Sequence, residues 1–171
     1  MRVGDPIAVP IDADMRAVGN AIHAVLAAGF ADPTARLEPG DVLRITEGFN
    51  VADSVGELAL LRQAKELRDW IAVSWPGADI AVEFPVQAVL ANGQVLQGRV
   101  DLLLDTAAGW VLIDHKSTPA SSSGRFDQLA VEYGGQLARY ADAIYLATGR
   151  PVTETWLYLP VAATALRVAV G

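Results

Sequence analysis

Residues 111–118, VLIDHKST, place an acid and a lysine at the end of a strongly apolar segment. Three apolar residues open the segment, and Thr118 and Pro119 end the pattern, which predicts a buried strand that reaches the edge of a sheet. Burying the carboxylate of Asp114 or the ammonium of Lys116 costs free energy unless a partner compensates the charge. The segment therefore indicates either a functional site or an ion pair at the end of a core strand.

The spacing of apolar residues predicts helices before and after a group of strands. Helices are expected at about 12–28, with Asp12 or Asp14 as the N-cap, and at about 41–47, 55–74 and 126–148. Gly134-Gly135 should weaken the last of these helices. Strands are expected at about 80–86, 96–104, 110–116, 152–159 and 166–170, with Asn92-Gly93 as a hairpin turn. The order predicts an α/β (α+β) fold with a mixed central β-sheet flanked by helices.

The length of 171 residues predicts a single domain spanning 1–171. We expect an N-terminal helical part at about 12–75, a sheet and helix at about 79–148, and closing strands at about 152–170. Hydrophobic residues make up 52% and charged residues 19%, a composition typical of a folded globule. No apolar run approaches the roughly 18 residues of a membrane span.

The sequence contains no cysteine, which excludes disulfides, thiolate zinc sites and iron–sulfur clusters. This composition fits a reducing compartment, and no secretory signal is visible, so a cytoplasmic protein is expected. The net charge of −7 argues against a protein that binds nucleic acid through its own overall field. If the target is a polyanion, something else must deliver it.

Strand geometry brings a second acid close to Asp114. Side chains alternate along a strand, so Asp114 and Lys116 share one face, and Asp101 reaches the same level if its strand pairs around a turn at 106–109. Two carboxylates this close repel each other unless a cation lies between them. Oxygen ligands suit Mg²⁺ or Mn²⁺, and Lys116 could hold or activate a water beside the ion. This combination can hydrolyse a phosphodiester, although an isolated Asp-x-Lys more often forms a surface salt bridge.

The segment GRVDLLLDTAAGWVLIDHKS, residues 98–117, resembles the catalytic core of the PD-(D/E)XK nucleases, in the branch found at the C-terminus of RecB and AddA-type helicase–nucleases. GNAIHAVL, residues 19–26, resembles the early helix of that family with its metal-binding histidine. GGQLARY, residues 134–140, resembles the downstream Q-x-x-x-Y motif. The motifs occur in family order, and the resemblance implies a restriction-endonuclease-like core.

The resemblance implies roles for individual residues. His23, Asp101 and Asp114 correspond to ligands of Mg²⁺ or Mn²⁺, the backbone carbonyl of His115 adds another ligand, and Lys116 corresponds to the catalytic lysine. Without the other motifs, a histidine on an apolar helix such as His23 is more often a hydrogen-bonded core residue.

The resemblance also implies supporting roles for three residues outside the metal ligands. Gln136 and Tyr140 correspond to residues that contact DNA phosphate or steady the site, and Glu83 matches a position where the family often has an acid. Ordinary helix packing for Gln136 and Tyr140, and a solvated strand position for Glu83, remain alternatives. The loop at 117–125 is expected to be flexible, and its hydroxyls and Arg125 could touch phosphates.

Taken together, these features predict a Mg²⁺- or Mn²⁺-dependent DNA exonuclease without an iron–sulfur cluster. It would act in double-strand-break repair and recombination on single-stranded DNA delivered by a helicase module, with no membrane partner. The helicase part is absent from the sequence, which is consistent with either a fragment of a larger helicase–nuclease or a stand-alone nuclease. Two alternatives are a catalytically silent DNA-binding or scaffolding module and a metal-dependent hydrolase of a smaller phosphoester.

Overall fold

The computed structural model describes residues 1–32, 36–89, 93, 95–118 and 123–169. Asn92 of the predicted hairpin turn and residues 119–122 of the predicted loop lie outside these ranges. The helices are α1 (Met15–Ala31), α2 (Pro39–Gly48), α3 (Glu57–Ser74) and α4 (Ser123–Thr148). The strands are β1 (Asp79–Val89), β2 (Val95–Thr106), β3 (Gly109–His115), β4 (Val152–Leu159) and β5 (Thr164–Arg167).

The five strands form one mixed sheet in the order β1-β2-β3-β4-β5. The first three strands make the predicted antiparallel meander. The next pair is parallel, because Trp110 N–H donates to the Pro151 carbonyl and Lys116 N–H donates to the Tyr158 carbonyl, both at 2.9 Å, so the two strands advance together. The predicted mixed sheet is therefore confirmed.

Among the predicted bounds, those of the last and the third strand need correction. The last strand was predicted at 166–170, but β5 begins at Thr164 because the N-terminal residues pair with it: Arg2 bridges to Thr164, and Ala165 N–H donates to the Met1 carbonyl. A local apolar pattern cannot reveal such a distant pairing. The third strand ends at His115, one residue earlier than predicted, so Lys116 lies just beyond it.

Contacts between Cα atoms divide the chain into two compact units. We call the first the helical unit; it contains Met1–Pro76, His115–Ser121 and Tyr158–Ala165. Within it α1, α2 and α3 pack against one another. Helix α1 begins where Asp14 Oδ1 accepts hydrogen bonds from the N–H groups of Arg16 and Ala17, which selects Asp14 over Asp12 as the N-cap.

The second unit, which we call the strand unit, contains Gly77–Asp114, Ser122–Leu157 and Leu166–Gly171. Helix α4 packs on β1 and β2 in this unit. The helix runs without a break through Gly134-Gly135, so the predicted weakening does not interrupt it. Packing explains the continuity, because Leu129, Leu137 and Ile144 are fully buried and hold the helix on both sides of the glycines.

None of the helices in the described ranges is both long enough and apolar enough to cross a membrane.

Candidate active site

Asp101 and Asp114 occupy opposite positions on neighbouring strands. The β2–β3 register pairs Leu102 with Ile113, so the next step along the antiparallel ladder sets Asp101 opposite Asp114. Directly opposed residues have Cβ atoms roughly 4.5–5.5 Å apart and share one face of the sheet. This extension of the register agrees with the level that the sequence predicts for the two acids.

The carboxylate of Asp114 is buried, and burying a charged carboxylate costs free energy. Its residue is 3% exposed, whereas Asp101 is half-buried. Removing a carboxylate from water and setting it opposite a second one disfavours ionisation of both acids, unless positive charge or hydrogen-bond donors offset the repulsion. A cation bound between the two carboxylates would reduce their repulsion.

Glu83 adds a third acid at the same level of the sheet. The β1–β2 register pairs Val82 with Leu102 and Phe84 with Val100, so Glu83 lies opposite Asp101. Its backbone has φ 50°, a left-handed conformation that is costly for a non-glycine residue inside a strand. Arg99 Nη1 donates to Glu83 Oε2 at 3.1 Å, which gives this carboxylate a positive partner of its own.

In the helical unit, α1 approaches the residues that follow β3. A Cβ built on Gly19 would lie 3.4 Å from Ser117 Cβ, a close contact that a larger side chain would disturb. One turn further on, the rings of His23 and His115 are 5.6 Å apart and meet edge to face at 63°. Their nearest ligand nitrogens lie within 4.8 Å of each other. The GNAIHAVL motif thus delivers His23 to the chain segment that carries His115.

The backbone of Lys116 is anchored by β4. Its N–H donates to the Tyr158 carbonyl at 2.9 Å, although Lys116 is outside the strand itself. Because the N–H is held, the position of the Cα is set by the sheet and not by a loose loop. The lysine side chain is half-buried.

Gln136 and Tyr140 lie one turn apart on α4, and Gln136 Nε2 donates to Tyr140 Oη at 3.1 Å. Tyr140 is buried, with 7% of its surface exposed, and its ring lies on the backbone of Gly98 in β2. Gly98 is the glycine of the G-x-x-D segment that ends in Asp101. The contact links the downstream motif to the strand that carries Asp101.

Two residues near the site were not predicted from the sequence. Tyr158 is fully buried in the helical unit, and its ring meets that of His115 at a centroid distance of 5.5 Å. Gln63 Nε2 donates to Tyr158 Oη and, at 3.0 Å, to the Val3 carbonyl. Burial raises the pKa of Tyr158 well above its ordinary value, so the hydroxyl stays protonated. The sequence did contain an indication for Gln63: it is a polar residue among the apolar positions of α3 that face the core, which indicates a buried hydrogen-bonding role.

A family model for the PD-(D/E)XK nuclease superfamily matches residues 2–170, nearly the whole chain. The chain belongs to this superfamily. The predicted membership is therefore confirmed, as is the predicted restriction-endonuclease-like fold, since the mixed five-stranded sheet and its helices fit that architecture.

Curated relatives of this PD-(D/E)XK chain share one name, which designates one of the subunits of an ATP-dependent helicase/nuclease. The protein from Pelotomaculum thermopropionicum is 34% identical over 134 residues, which cover 78% of this chain and 9% of the relative. The protein from Desulforamulus reducens is 32% identical over 63% of this chain and 8% of its own length. That from Levilactobacillus brevis is 28% identical over 75% of this chain and 10% of its own length. The chain thus spans about a tenth of these relatives.

Proposed function

We propose that this chain is the exonuclease domain of an ATP-dependent helicase–nuclease and hydrolyses DNA phosphodiester bonds with Mg²⁺ or Mn²⁺. The observation that carries the proposal is the β2–β3 register: it pairs Leu102 with Ile113, and one further step sets Asp101 opposite Asp114, the residue before His115. His115 in turn contacts His23 in the helical unit. Four residues to which the resemblance gives a role in the site are thereby linked by register, by covalent connection and by ring contact.

The donor set fits a hard or borderline divalent cation. Carboxylate oxygens and a carbonyl suit Mg²⁺, and the addition of one imidazole suits Mn²⁺ equally well. We assign His23, Asp101, Asp114 and the His115 carbonyl as ligands. A bound divalent cation would offset the repulsion between the two acids, polarise the phosphodiester and lower the pKa of a coordinated water.

Lys116 is the residue that we assign to the attacking water. With its backbone N–H held by the Tyr158 carbonyl, the lysine can place its ammonium nitrogen within hydrogen-bond reach of a water near the scissile phosphate. The water oxygen would form a bond to phosphorus and lose one proton to bulk water, the bond between phosphorus and the leaving oxygen would break, and the leaving oxygen would take one proton from bulk water. One product ends in a phosphate and the other in a hydroxyl.

Gln136, Tyr140 and Glu83 have supporting roles in this proposal. The Tyr140 hydroxyl is engaged by Gln136 and its ring is buried, so Tyr140 steadies the β2 strand more readily than it reaches DNA. Gln136 is half-buried and keeps one side open to a phosphate. Glu83 forms an ion pair with Arg99 and lies beside Asp101 in the sheet register.

The substrate in this proposal is single-stranded DNA delivered by a helicase module, in the same parent chain or on a separate partner protein. The net charge of −7 supports delivery, because few cations are available to release counterions from DNA. The names of the relatives, which combine helicase with nuclease, support it as well. The proposed role is in double-strand-break repair and recombination, in the cytoplasm where that DNA lies.

The proposal is tested by digesting end-labelled linear single-stranded DNA with Mg²⁺, with Mn²⁺ and with chelator. We expect wild type to cleave only when a metal is present. Lys116→Ala should lower the cleavage rate by about 10²–10⁴-fold, the range for loss of a group that handles protons. Lys65→Ala is the matched control: Lys65 is 70% exposed on α3 and pairs with Asp69, so its loss should leave the rate unchanged.

The other outcomes separate the alternatives. DNA binding without cleavage under either metal would support a silent scaffolding module. Hydrolysis of bis(p-nitrophenyl) phosphate with intact DNA would support a hydrolase of smaller phosphoesters. Undiminished cleavage in chelator would contradict the metal-dependent mechanism.

A further inference from the structure

A row of rings connects the core of the helical unit to His23. The centroids of Tyr158 and His115 lie 5.5 Å apart with an interplanar angle of 72°, and those of His115 and His23 lie 5.6 Å apart at 63°. Edge-to-face contacts at these distances are attractive and depend on orientation, since the positive edge of one ring meets the negative face of the next. Each ring therefore restricts the rotation of its neighbour.

The inner end of this row is rigid. Tyr158 has no exposed surface, and Gln63, itself 1% exposed, donates one hydrogen bond to the Tyr158 hydroxyl and another to the Val3 carbonyl at 3.0 Å. A buried amide that satisfies two acceptors on different segments cannot move without losing a bond. Tyr158 therefore provides a fixed surface for the ring of His115.

Tyr158 acts on two consecutive residues of the candidate active site. Its ring contacts the His115 side chain, and its carbonyl accepts the N–H of Lys116 at 2.9 Å. His115 is also 2% exposed, so its imidazole is confined on every side by protein. By contrast His23 is half-buried, and the His115 ring packs against it edge to face.

The side chain of His115 has two ring neighbours within the helical unit. The role assigned to His115 above uses only its backbone carbonyl. Its imidazole packs against the rings of Tyr158 and His23, and these two contacts indicate a second role for the residue.

We propose that His115 and Tyr158 are positioning residues that hold the His23 imidazole in the orientation in which it binds the divalent cation. This inference rests on the proposed function, because it assigns the ligand role to His23. The Tyr158 ring fixes the His115 ring, and the His115 ring limits the rotamers of His23. Binding then costs less conformational entropy, because the ligand is already oriented.

The test uses Mn²⁺ alone as the probe, with no DNA present. Pulsed electron paramagnetic resonance of bound Mn²⁺ counts the coordinated imidazole nitrogens, and a titration followed by the same signal gives the dissociation constant. For wild type we expect one imidazole coupling, which His23→Gln removes. His115→Phe keeps a ring at position 115 but has no nitrogen, so the coupling should remain and the dissociation constant should change by less than about threefold.

Loss of the rings should weaken metal binding without removing any ligand. We expect His115→Leu and Tyr158→Leu each to raise the Mn²⁺ dissociation constant by about tenfold, since oriented partners of metal ligands commonly contribute 10–100-fold. Tyr145→Leu is the matched control, because Tyr145 is 55% exposed on α4 and should leave the constant unchanged. Circular dichroism and a melt in chelator identify any variant that fails to fold, and the His115→Phe and His115→Leu pair then decides the result.

Three results would overturn the inference. A coupling that disappears in His115→Phe would show that the His115 imidazole is itself a ligand. An unchanged dissociation constant in a folded His115→Leu would show that the ring does not position His23. No binding of Mn²⁺ by wild type would remove the proposed function as well, whereas the first two results leave the metal-dependent nuclease intact.

Discussion

The ring of Tyr140 lies directly on the backbone of Gly98. A Cβ built on this glycine would be 2.5 Å from Tyr140 Oη and 2.6 Å from Cε1, distances at which one of the two groups must move. Gly98 begins the segment that leads to Asp101, and Tyr140 ends the Q-x-x-x-Y motif. The Tyr140 ring fits in this position only because residue 98 has no side chain. A glycine is needed here for space and not for backbone conformation.

Gly98→Ala should therefore destabilise the protein by about 1–3 kcal/mol, the usual cost of overpacking a filled site. Combining it with Tyr140→Leu, which removes the colliding atoms, should cost less than the sum of the single changes. Urea denaturation of the two single variants and the double variant measures this coupling. Additivity to within about 0.5 kcal/mol would mean that the two residues do not interact.

Unlike Gly98, the two glycines in the middle of α4, Gly134 and Gly135, have room for a Cβ atom. A Cβ on Gly134 would lie 3.7 Å from Val168 Cγ1 and one on Gly135 would lie 3.8 Å from Arg139 Nη1, both ordinary contacts. Alanine is the better helix former, so each substitution should raise the free energy of unfolding by about 0.5–1 kcal/mol. Chemical denaturation checks the gain, and a loss of stability would contradict it. A raised KM for DNA in Gly135→Ala alone would indicate that DNA approaches this exposed backbone closely.

The fold could be predicted largely from local patterns. Apolar spacing and a cap at Asp12 or Asp14 located α1 to within about three residues, and the alternation of 80–104 located the antiparallel meander. The level of Asp101 and Asp114 followed from the same reasoning, because two strands joined by a short turn have a register that the turn sets. These features depend on neighbours in the sequence, which is why the sequence revealed them.

Contacts between distant segments could not be predicted in the same way. Gln63 and Tyr158 are separated by 95 positions, and their hydrogen bond depends on how α3 and β4 pack. The contact of Tyr140 with Gly98 likewise depends on the docking of α4 on β2. The ligand roles of His23, Asp101 and Asp114, and the part played by Lys116, remain predictions.

Tyr158 should make stability depend on alkaline pH. Burial raises the pKa of its hydroxyl above the ordinary value of 10.0, so the folded state holds this proton more tightly than the unfolded state does. The protonated hydroxyl therefore makes its full contribution to the free energy of unfolding below about pH 10. This contribution is lost as the pH rises from that value towards the folded-state pKa, at no more than about 1.4 kcal/mol per pH unit. Tyr158→Phe keeps the ring and lacks the proton.

The comparison with Tyr158→Phe isolates this one group. Denaturation of wild type and variant at pH 8, 9, 10 and 11 should show a stability difference that is constant up to about pH 10 and smaller above it. A difference that stays constant to pH 11 would mean that Tyr158 titrates at the same pH in the folded and unfolded chains.

The central claim is that the buried Asp114 carboxylate is a metal ligand, and a thermal melt in chelator and in Mn²⁺ tests it most directly. Asp114 is 3% exposed and lies opposite Asp101, so wild type should melt at a higher temperature with Mn²⁺, by linkage worth about 2.7 kcal/mol at a hundredfold excess over the dissociation constant. Asp114→Asn should lose most of this shift and, in chelator, be at least as stable as wild type, because one like charge is gone. Asp53→Asn, at an exposed acid, should keep the full shift. If wild type shows no shift with Mn²⁺, or if Asp114→Asn is strongly destabilised in chelator, Asp114 is a structural partner and the account is wrong.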